Sequence, residues 1–392
     1  MVVSDLVSLR ERGTYNGLIG LTWALACAIG PVVGGALSSE GQWRWLFYLN
    51  LPICGVATAM VLVFLKLPTP PGTLREKLGH MDWIGNFLVI ASTTCVGLGL
   101  TWGGIKFPWS SAKVLVPLIV GLLGLAFFIL YEAKWARNPI VPLMLLQNRT
   151  SISGYIQTFI NPLVVLAIAY YLPTYYQSCR DASPVRSGVY ILGLTLGLAP
   201  AIVATGVSVS ITKVYRPQIW VAWVIYIVGM GVYTTMRADT RLAETIGIPI
   251  LTGVGAGMLY LSRLLTYFNL SGLNGRLSQV WGIAIGASVL QNELSHRLPS
   301  EFLERLPSGV DLTYAAIPTI RDLPPPLKDE VRQAFGESIA VIWKVMVGIL
   351  AIGLISSLFM ADVPLHDMKD EKWTLKEQDE GAEGKGVELA SI

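Results

Sequence analysis

Charged residues are scarce in this chain. Only 14% of its 392 residues are Asp, Glu, Lys or Arg, against about 25% in ordinary soluble domains. The charges that do occur separate apolar blocks, most of them about 18 residues or longer, which is the length needed to cross a bilayer core. A soluble fold would alternate apolar and polar positions instead. With 53% apolar residues and a mean hydropathy of +0.56, the sequence predicts an all-α polytopic membrane protein.

Residues that build catalytic and metal sites are also few. The three histidines are isolated in loops or the tail, and none is placed as a ligand or a general base. The four cysteines have neither metal-ligand spacing nor a disulfide pattern, so we interpret them as small core residues. A Gly-Lys-Ser/Thr phosphate loop and an aromatic-interleaved basic patch are both absent. We therefore expect no enzyme, no metal or other cofactor, no ATP and no nucleic acid.

Ten apolar blocks are candidate membrane spans. They cover about residues 15–37, 45–67, 83–103, 114–131, 152–173, 187–211, 218–236, 244–262, 277–291 and 338–360. The ninth is short for a bilayer core about 30 Å thick. Lys and Arg are more frequent in alternate connecting loops, which predicts that both termini are cytoplasmic. The stretch 292–337 is then an external loop, and the charged tail 364–392 is disordered and cytoplasmic.

A Gly-Pro pair and a Gly-Gly pair interrupt the first block, in the stretch GPVVGG. Helix propensity is lowest at such residues, so another property must favour them. Small residues let membrane helices approach closely, and Ala26, Gly30 and Gly34 lie four apart on one face, with Gly35 beside them. Pro31 favours a kink. Two interpretations stay open, a tight packing seam and a bend that seals one side of a transport pathway.

These residues also carry a resemblance to a known family. GPVVGG, with Ala26 upstream, resembles the antiporter motif in the fifth helix of drug/proton antiporters of the major facilitator superfamily. SDLVSLRERGTYNG before it resembles the preceding cytoplasmic loop in the fungal fourteen-helix subfamily, and WRWLFYLNLP after it resembles the entry into the sixth helix. MDWIGNFLVIASTTCVGLGLTWGG, NPIVPLMLLQNRTSISGY, AYYLPTYYQ, GVGAGMLY and QVWGIAIGASVLQNEL resemble later parts in order. The similarity runs to about residue 375.

The resemblance implies an incomplete major facilitator fold with about ten transmembrane helices. Segments matching the family's first four helices are missing from the sequence, together with the acidic group that commonly lies in the first helix. We expect residues 1–67 to be a remnant of the amino-terminal bundle, 68–137 a central helix pair and 138–363 the carboxy-terminal bundle. A stretch shorter than the family's follows residue 262, and it accounts for the short ninth block.

The resemblance also implies a function. We expect proton-coupled export of small, largely apolar compounds, such as drugs, toxins or secondary metabolites, across the plasma membrane. The partners are then the lipid bilayer, the hydrophobic substrate and protons. Two alternatives stay open: a non-transporting fragment, inert or packed against a full-length carrier, and uptake of siderophores or sugars on the same fold. No carboxylate lies deep in an apolar block, so the proton-coupling residue is not located.

Several side chains are candidates for a transport pathway. Those that we expect to line a substrate cavity are Tyr155, Gln157, Asn161, Tyr170, Tyr171 and Gln279. Gln157 and Asn161 share a helix face, and the alternative for them is hydrogen bonding between helices. For Tyr170 and Tyr171 the alternative is a place in the aromatic belt at the membrane interface.

Two further groups lie near the cytoplasmic side. Arg276 matches an arginine that opens the family's thirteenth helix, and we interpret it as a helix-end anchor. The residues that match the family's cytoplasmic loop are Asp5, Arg10, Glu11, Arg12 and Gly13. Their charges either pair with a neighbouring helix or serve only to keep the loop inside.

Overall fold

The computed structural model describes residues 12–64, 73–79, 81–104, 106–136, 149–212, 214–267, 271–306 and 311–361. Helices are the only regular elements in these ranges. Asp5, Arg10, Glu11 and the tail 364–392 lie outside the described residues. The predicted domain boundaries near residues 67, 137 and 363 fall outside them as well, so that division stays a prediction.

Fifteen helices follow one another through the described ranges. They are α1 (Arg12–Ser39), α2 (Trp45–Tyr48), α3 (Asn50–Phe64), α4 (Leu74–Gly79), α5 (Trp83–Trp102), α6 (Ala112–Lys134), α7 (Arg149–Arg180), α8 (Pro184–Tyr190), α9 (Leu192–Thr212), α10 (Arg216–Tyr233), α11 (Leu242–Tyr267), α12 (Ser271–Arg297), α13 (Ser300–Leu303), α14 (Leu312–Ile320) and α15 (Leu327–Leu358).

Ten of these helices are long, and they coincide with the ten predicted spans. They are α1, α3, α5, α6, α7, α9, α10, α11, α12 and α15. Within the described residues, eight helical segments are long and apolar enough to cross a membrane, and α10 and α12 are not among them. The predicted all-α polytopic architecture with about ten helices is confirmed.

Two helices extend past the predicted boundaries. Helix α12, which contains the short ninth apolar block, has 27 residues and runs from Ser271 to Arg297. The predicted external loop 292–337 contains the end of α12, two short helices and the first turns of α15, which begins at Leu327. Polar residues end an apolar block without ending a helix, and Asp329 and Glu330 in the first turn of α15 favour a helix start.

Helices α7, α9, α10, α11, α12 and α15 form one bundle, which we call the carboxy-terminal bundle. The largest fully buried side chains of the described chain all lie between residues 168 and 343. Backbones touch directly where α9 meets α11, because Gly193 and Gly197 on one helix face Gly253 and Gly257 on the other. A Cβ atom at any of the four would collide with a carbonyl oxygen of the facing helix.

The remaining long helices attach to this bundle in different ways. Helix α1 packs on α8, α9 and α11. The α5–α6 hairpin packs on α12, where the Ser288 hydroxyl donates to the Leu100 carbonyl oxygen at 2.9 Å. Helix α3 has no buried residue at all.

Candidate functional site

Helix α1, which carries the GPVVGG stretch, touches α8 backbone to backbone. A Cβ atom at Gly35 would lie 2.6 Å from the Pro184 carbonyl oxygen, and one at Gly188 would lie 2.6 Å from the Pro31 carbonyl oxygen. The contact is therefore reciprocal, since each helix offers a glycine to a carbonyl of the other. Helix α1 is continuous through Pro31. These contacts match the packing-seam interpretation of the motif.

The face used for packing is rotated from the predicted one. Ala26 and Gly30 are exposed, and no atom lies within 4 Å of a Cβ position at Gly30. Gly34 meets only the tip of Leu46, at 3.9 Å. The seam runs instead along Gly20, Ala24, Pro31 and Gly35. Spacing alone favours either face, because both carry small residues, and only the position of the neighbouring helices decides between them.

An aromatic pair joins α1 to α11 at the other end of the seam. The Trp23 and Tyr260 rings stack with centroids 5.5 Å apart and an interplanar angle of 7°. Gly20 leaves room for this pair, because a Cβ atom there would lie 3.0 Å from a Tyr260 ring carbon. No pattern in the sequence connects residues so far apart in the chain.

Gln157 lies inside the carboxy-terminal bundle and is fully buried. Its side-chain oxygen accepts a hydrogen bond from the Trp223 indole at 3.0 Å, and its nitrogen donates to the Ser153 hydroxyl at 2.9 Å. Ser153 in turn donates to the Ser356 carbonyl oxygen at 2.6 Å. These bonds link α7, α10 and α15. Of the two alternatives for Gln157, they match hydrogen bonding between helices.

Asn161 has a different environment one turn further along α7. Its amide nitrogen donates to the Ala256 carbonyl oxygen on α11 at 3.3 Å, while its side-chain oxygen has no hydrogen-bond partner among the described residues. The Thr158 hydroxyl also has none there. Because Pro162 has no N–H, the Thr158 carbonyl lacks its helical donor. This turn of α7 therefore contains side-chain oxygens, Asn161 Oδ1 and Thr158 Oγ1, that make no hydrogen bond with the described residues.

The predicted tyrosines divide by exposure. Tyr170 is 37% exposed, whereas Tyr171 is buried and its hydroxyl donates to the Ile283 carbonyl oxygen at 2.6 Å. The Tyr171 ring fills the space left by Gly286 on α12, so Tyr171 connects two helices. Tyr155 is half-buried. The cavity role of these residues stays a prediction.

The remaining predicted residues lie near helix starts. Gln279 is half-buried on α12. Arg276 lies in the second turn of α12, which begins at Ser271 rather than at the arginine. Arg12 and Gly13 lie in the first turn of α1.

Two carboxyl groups meet between α5 and α6, where the sequence predicted no deep carboxylate. Glu132 is only 5% exposed. A Cβ atom at Gly85 would lie 2.8 Å from both the Asp82 carboxyl carbon and Glu132 Oε1. Asp82 also caps α5, since its Oδ1 accepts from the Gly85 N–H at 2.8 Å and from the Tyr131 hydroxyl at 3.3 Å. Hydropathy missed the pair because both residues flank apolar blocks.

Ion pairs occupy the end of the carboxy-terminal bundle where α7 and α12 end and α15 begins, which we call the Asp181 end. Asp181 pairs with Arg332 and, at 3.0 Å, with Lys328. Arg297 donates to Glu293 at 2.8 Å and to Glu337 at 2.7 Å. These hydrogen bonds and charges, Glu293 first, raise the pKa of the Arg297 guanidinium. No group of His, Cys, Asp or Glu suited to a metal ion occurs in the described part of the chain.

Comparison with known proteins assigns the family. The family profile described as Major Facilitator Superfamily matches residues 1–290. The efflux pump FUS6 of Gibberella fujikuroi is 37% identical over 398 residues, covering 96% of this chain and 72% of that protein. The MFS-type efflux pump LUC4 of a Fusarium species is 34% identical over 403 residues, covering 98% and 72%. The MFS-type efflux pump MMF1 of Pseudozyma antarctica is 32% identical over 395 residues, covering 96% and 73%.

The chain belongs to the major facilitator superfamily. It is therefore a multi-pass membrane transporter of small molecules and not an enzyme. The resemblance seen in the sequence is confirmed.

Proposed function

We propose that this protein exports small, largely apolar compounds, such as drugs, toxins or secondary metabolites, from a fungal cell in exchange for protons. The observation that carries the proposal is the match to relatives named efflux pumps, which extends over 96% to 98% of this chain. The helix with the antiporter-like motif supports it further. Its backbone contact with α8 is the kind of close seam that would seal a pathway between helices.

Asn161 is our candidate for a cargo-binding residue. An apolar site needs a few polar groups to orient its ligand. Asn161 is buried and its nitrogen bonds to α11, but unlike Gln157 its side-chain oxygen has no partner among the described residues. Tyr155, Gln279 and Tyr170 remain proposed cavity residues because each is at least partly exposed. Gln157 and Tyr171 are assigned to the packing of the bundle, since their polar atoms bind other helices.

The Asp82 and Glu132 pair is our candidate for proton coupling. An antiporter needs a group that binds and releases a proton within the membrane region. The burial of Glu132 supports this role.

Efflux from yeast cells tests the proposal. Cells that express the protein and lack their own drug exporters should retain less rhodamine 6G than cells with an empty vector. A protonophore should abolish the difference. Glu132→Gln should reduce efflux about tenfold or more, because it removes the titratable proton, while Glu293→Gln, at an exposed ion pair, should not. Equal retention with and without the protein, across a panel of apolar dyes, would reject export.

A further inference from the structure

Arg180, the last residue of α7, has a buried donor edge without an acceptor. Its Nε and Nη2 atoms are both inaccessible to solvent, and neither has a hydrogen-bond partner among the described residues. The residue as a whole is half-buried. The guanidinium therefore lies near the surface of the Asp181 end with its Nε–Nη2 edge turned inward.

This edge is the part of an arginine that recognises oxyanions. Nε–H and Nη2–H point the same way and match the two oxygens of a carboxylate or phosphate. A buried charged donor that stays unpaired is costly. A cation at the end of a helix does benefit from the helix dipole. The dipole, however, supplies no hydrogen-bond acceptor for the two buried N–H groups.

The neighbouring acceptors do not neutralise Arg180. The Tyr175 hydroxyl is hydrogen-bonded to the guanidinium. It is uncharged, however, and it donates its own hydrogen bond to the Arg237 carbonyl oxygen at 2.7 Å. The Asp181 carboxylate binds Arg332 and Lys328. Arg180 therefore precedes Asp181 in the chain, but the ion pairs of the Asp181 carboxylate are with Arg332 and Lys328.

Positive charge exceeds negative charge around Asp181. Besides its two carboxylate partners, Arg321 donates to the Asp181 carbonyl oxygen at 3.2 Å. Arg332 also has a buried Nε without a partner in the described chain. Asp329 lies 4.0 Å from Arg332, but its side chain is 76% exposed, so water screens it. An incoming anion would relieve this imbalance.

A cavity adjoins the same cluster. It has a volume of about 510 Å³ and is lined by Arg332 and Arg237, among other residues. Asp239, Asp329 and Glu337 also line it, and Arg297 binds Glu337 at 2.7 Å. Arg180 does not line this cavity itself and reaches it through its neighbour Arg332 in the cluster. Space for a small ligand therefore exists beside Arg332.

We propose that Arg180 anchors a binding site for an oxyanion, a carboxylate or phosphate group, at the Asp181 end of the carboxy-terminal bundle. The Nε–Nη2 edge binds two oxygens of the anion. Arg332 adds a further donor and a second positive charge. The anion is either carried by a small solute or presented by a lipid headgroup.

Binding to the purified full chain tests this site. The protein is reconstituted in phosphatidylcholine nanodiscs and titrated with sodium benzoate or sodium phosphate, with sodium chloride at equal ionic strength as the reference. The rise in thermal unfolding temperature is followed to saturation. We expect saturable stabilisation by benzoate or phosphate beyond that of chloride.

Variants identify the residue responsible. Arg180→Lys keeps the charge but loses the paired donors, and it should weaken binding about tenfold. Arg180→Gln should abolish it. Arg305→Gln is the matched control, because Arg305 is exposed and already pairs with Glu301, and it should bind as the parent does. Should Arg180→Gln fail to fold, the lysine variant still decides between paired donors and simple charge.

The outcomes also distinguish the source of the anion. Stabilisation by benzoate or phosphate that requires Arg180 indicates a soluble ligand. Stabilisation that requires Arg180 and occurs only in nanodiscs containing phosphatidic acid indicates a lipid headgroup. The proposal is overturned if benzoate, phosphate and phosphatidic acid all fail to stabilise the protein saturably. It is also overturned if they stabilise the parent and both Arg180 variants equally. The assay uses no transport, so its result is independent of the efflux test.

Discussion

Helix α7 and the α2–α3 segment are both strongly apolar, yet their surroundings are opposite. The most apolar stretch of Trp45–Phe64 has a mean hydropathy of 2.0 and none of it is buried, whereas that of Arg149–Arg180 has a mean hydropathy of 1.6 and 61% of it is buried. The more apolar segment is therefore the less buried one. In lipid this is physically reasonable, because hydrocarbon chains solvate apolar side chains as well as a protein core does.

Contacts other than apolar burial distinguish the two regions. The carboxy-terminal bundle has glycines that bring backbones together and polar side chains that reach across helices, such as Gln157 and Tyr176, whose hydroxyl donates to the Thr245 carbonyl oxygen at 2.7 Å. Among the described residues, no α3 side chain bonds to a helix distant in the chain. Asn50 donates only to the Leu46 carbonyl oxygen, four residues earlier, at 3.1 Å, and a Cβ atom at Gly55 would meet nothing within 4 Å. Small residues and interhelical hydrogen bonds should therefore determine stability in this protein, and apolar content should not.

The largest effect is expected from filling a glycine contact in the bundle. Gly197→Val places side-chain atoms against the Ile250 carbonyl of α11, and we expect a loss of about 2–4 kcal/mol or failure to fold. Gly55→Val in α3 is the matched control and should change stability by less than about 1 kcal/mol. Thermal unfolding of both variants in nanodiscs measures the difference. Equal losses would mean that the two regions do not differ in the way described.

A smaller loss should follow removal of a buried hydrogen-bonding side chain. Gln157→Leu leaves the Trp223 indole without its acceptor, which should cost about 1–3 kcal/mol. Thr94→Val is the control, because its hydroxyl is exposed and bonds only to its own helix, and its effect should stay within about 0.5 kcal/mol. Trp223→Phe should then lower the stability of the Gln157→Leu variant by less than it lowers the stability of the parent protein. Strict additivity would argue against the bond.

The aromatic contact between α1 and α11 comes next. Trp23→Ala removes the stack on Tyr260 and should destabilise the protein by about 0.5–1.5 kcal/mol. It should also make α1 more accessible to protease. Phe64→Ala, at a side chain that is 77% exposed, should do neither. Limited proteolysis followed by mass spectrometry reports both results, and identical cleavage patterns would count against the contact.

The smallest effect on stability is expected within the GPVVGG stretch itself. Gly30→Ala meets no neighbouring atom and improves helix propensity, so stability should rise by up to about 1 kcal/mol. Gly35→Ala collides with α8 and should lower it. If Gly30→Ala nevertheless impairs dye efflux, the exposed face of the motif acts in transport and not in folding. A fall in unfolding temperature for Gly30→Ala would contradict the contacts described.

The sequence predicted the long helices better than the contacts between them. The ten long helices were found because a membrane span is a local property of about 20 consecutive residues. The packing face of α1 was not, since Gly30 and Gly35 are equally small and only α8 distinguishes them. Gln157 bonds to Trp223, which is 66 residues away, and to Ser153, whose own partner Ser356 is 203 residues from Ser153. The buried position of Glu132 depends likewise on how α5 meets α6.

The reciprocal contact of Gly35 and Gly188 limits how this protein can change over time. Most tight contacts tolerate a larger residue on one side when the other side becomes smaller. Here neither partner has a side chain to give up, and the opposing atoms belong to the backbone. A selection for second-site suppressors of Gly35→Ala should therefore yield changes that move α8 as a whole, for example in the connection at residues 181–183, and none at Gly188. A substitution at either glycine therefore cannot be compensated by a substitution at the other, and it weakens the contact between α1 and α8.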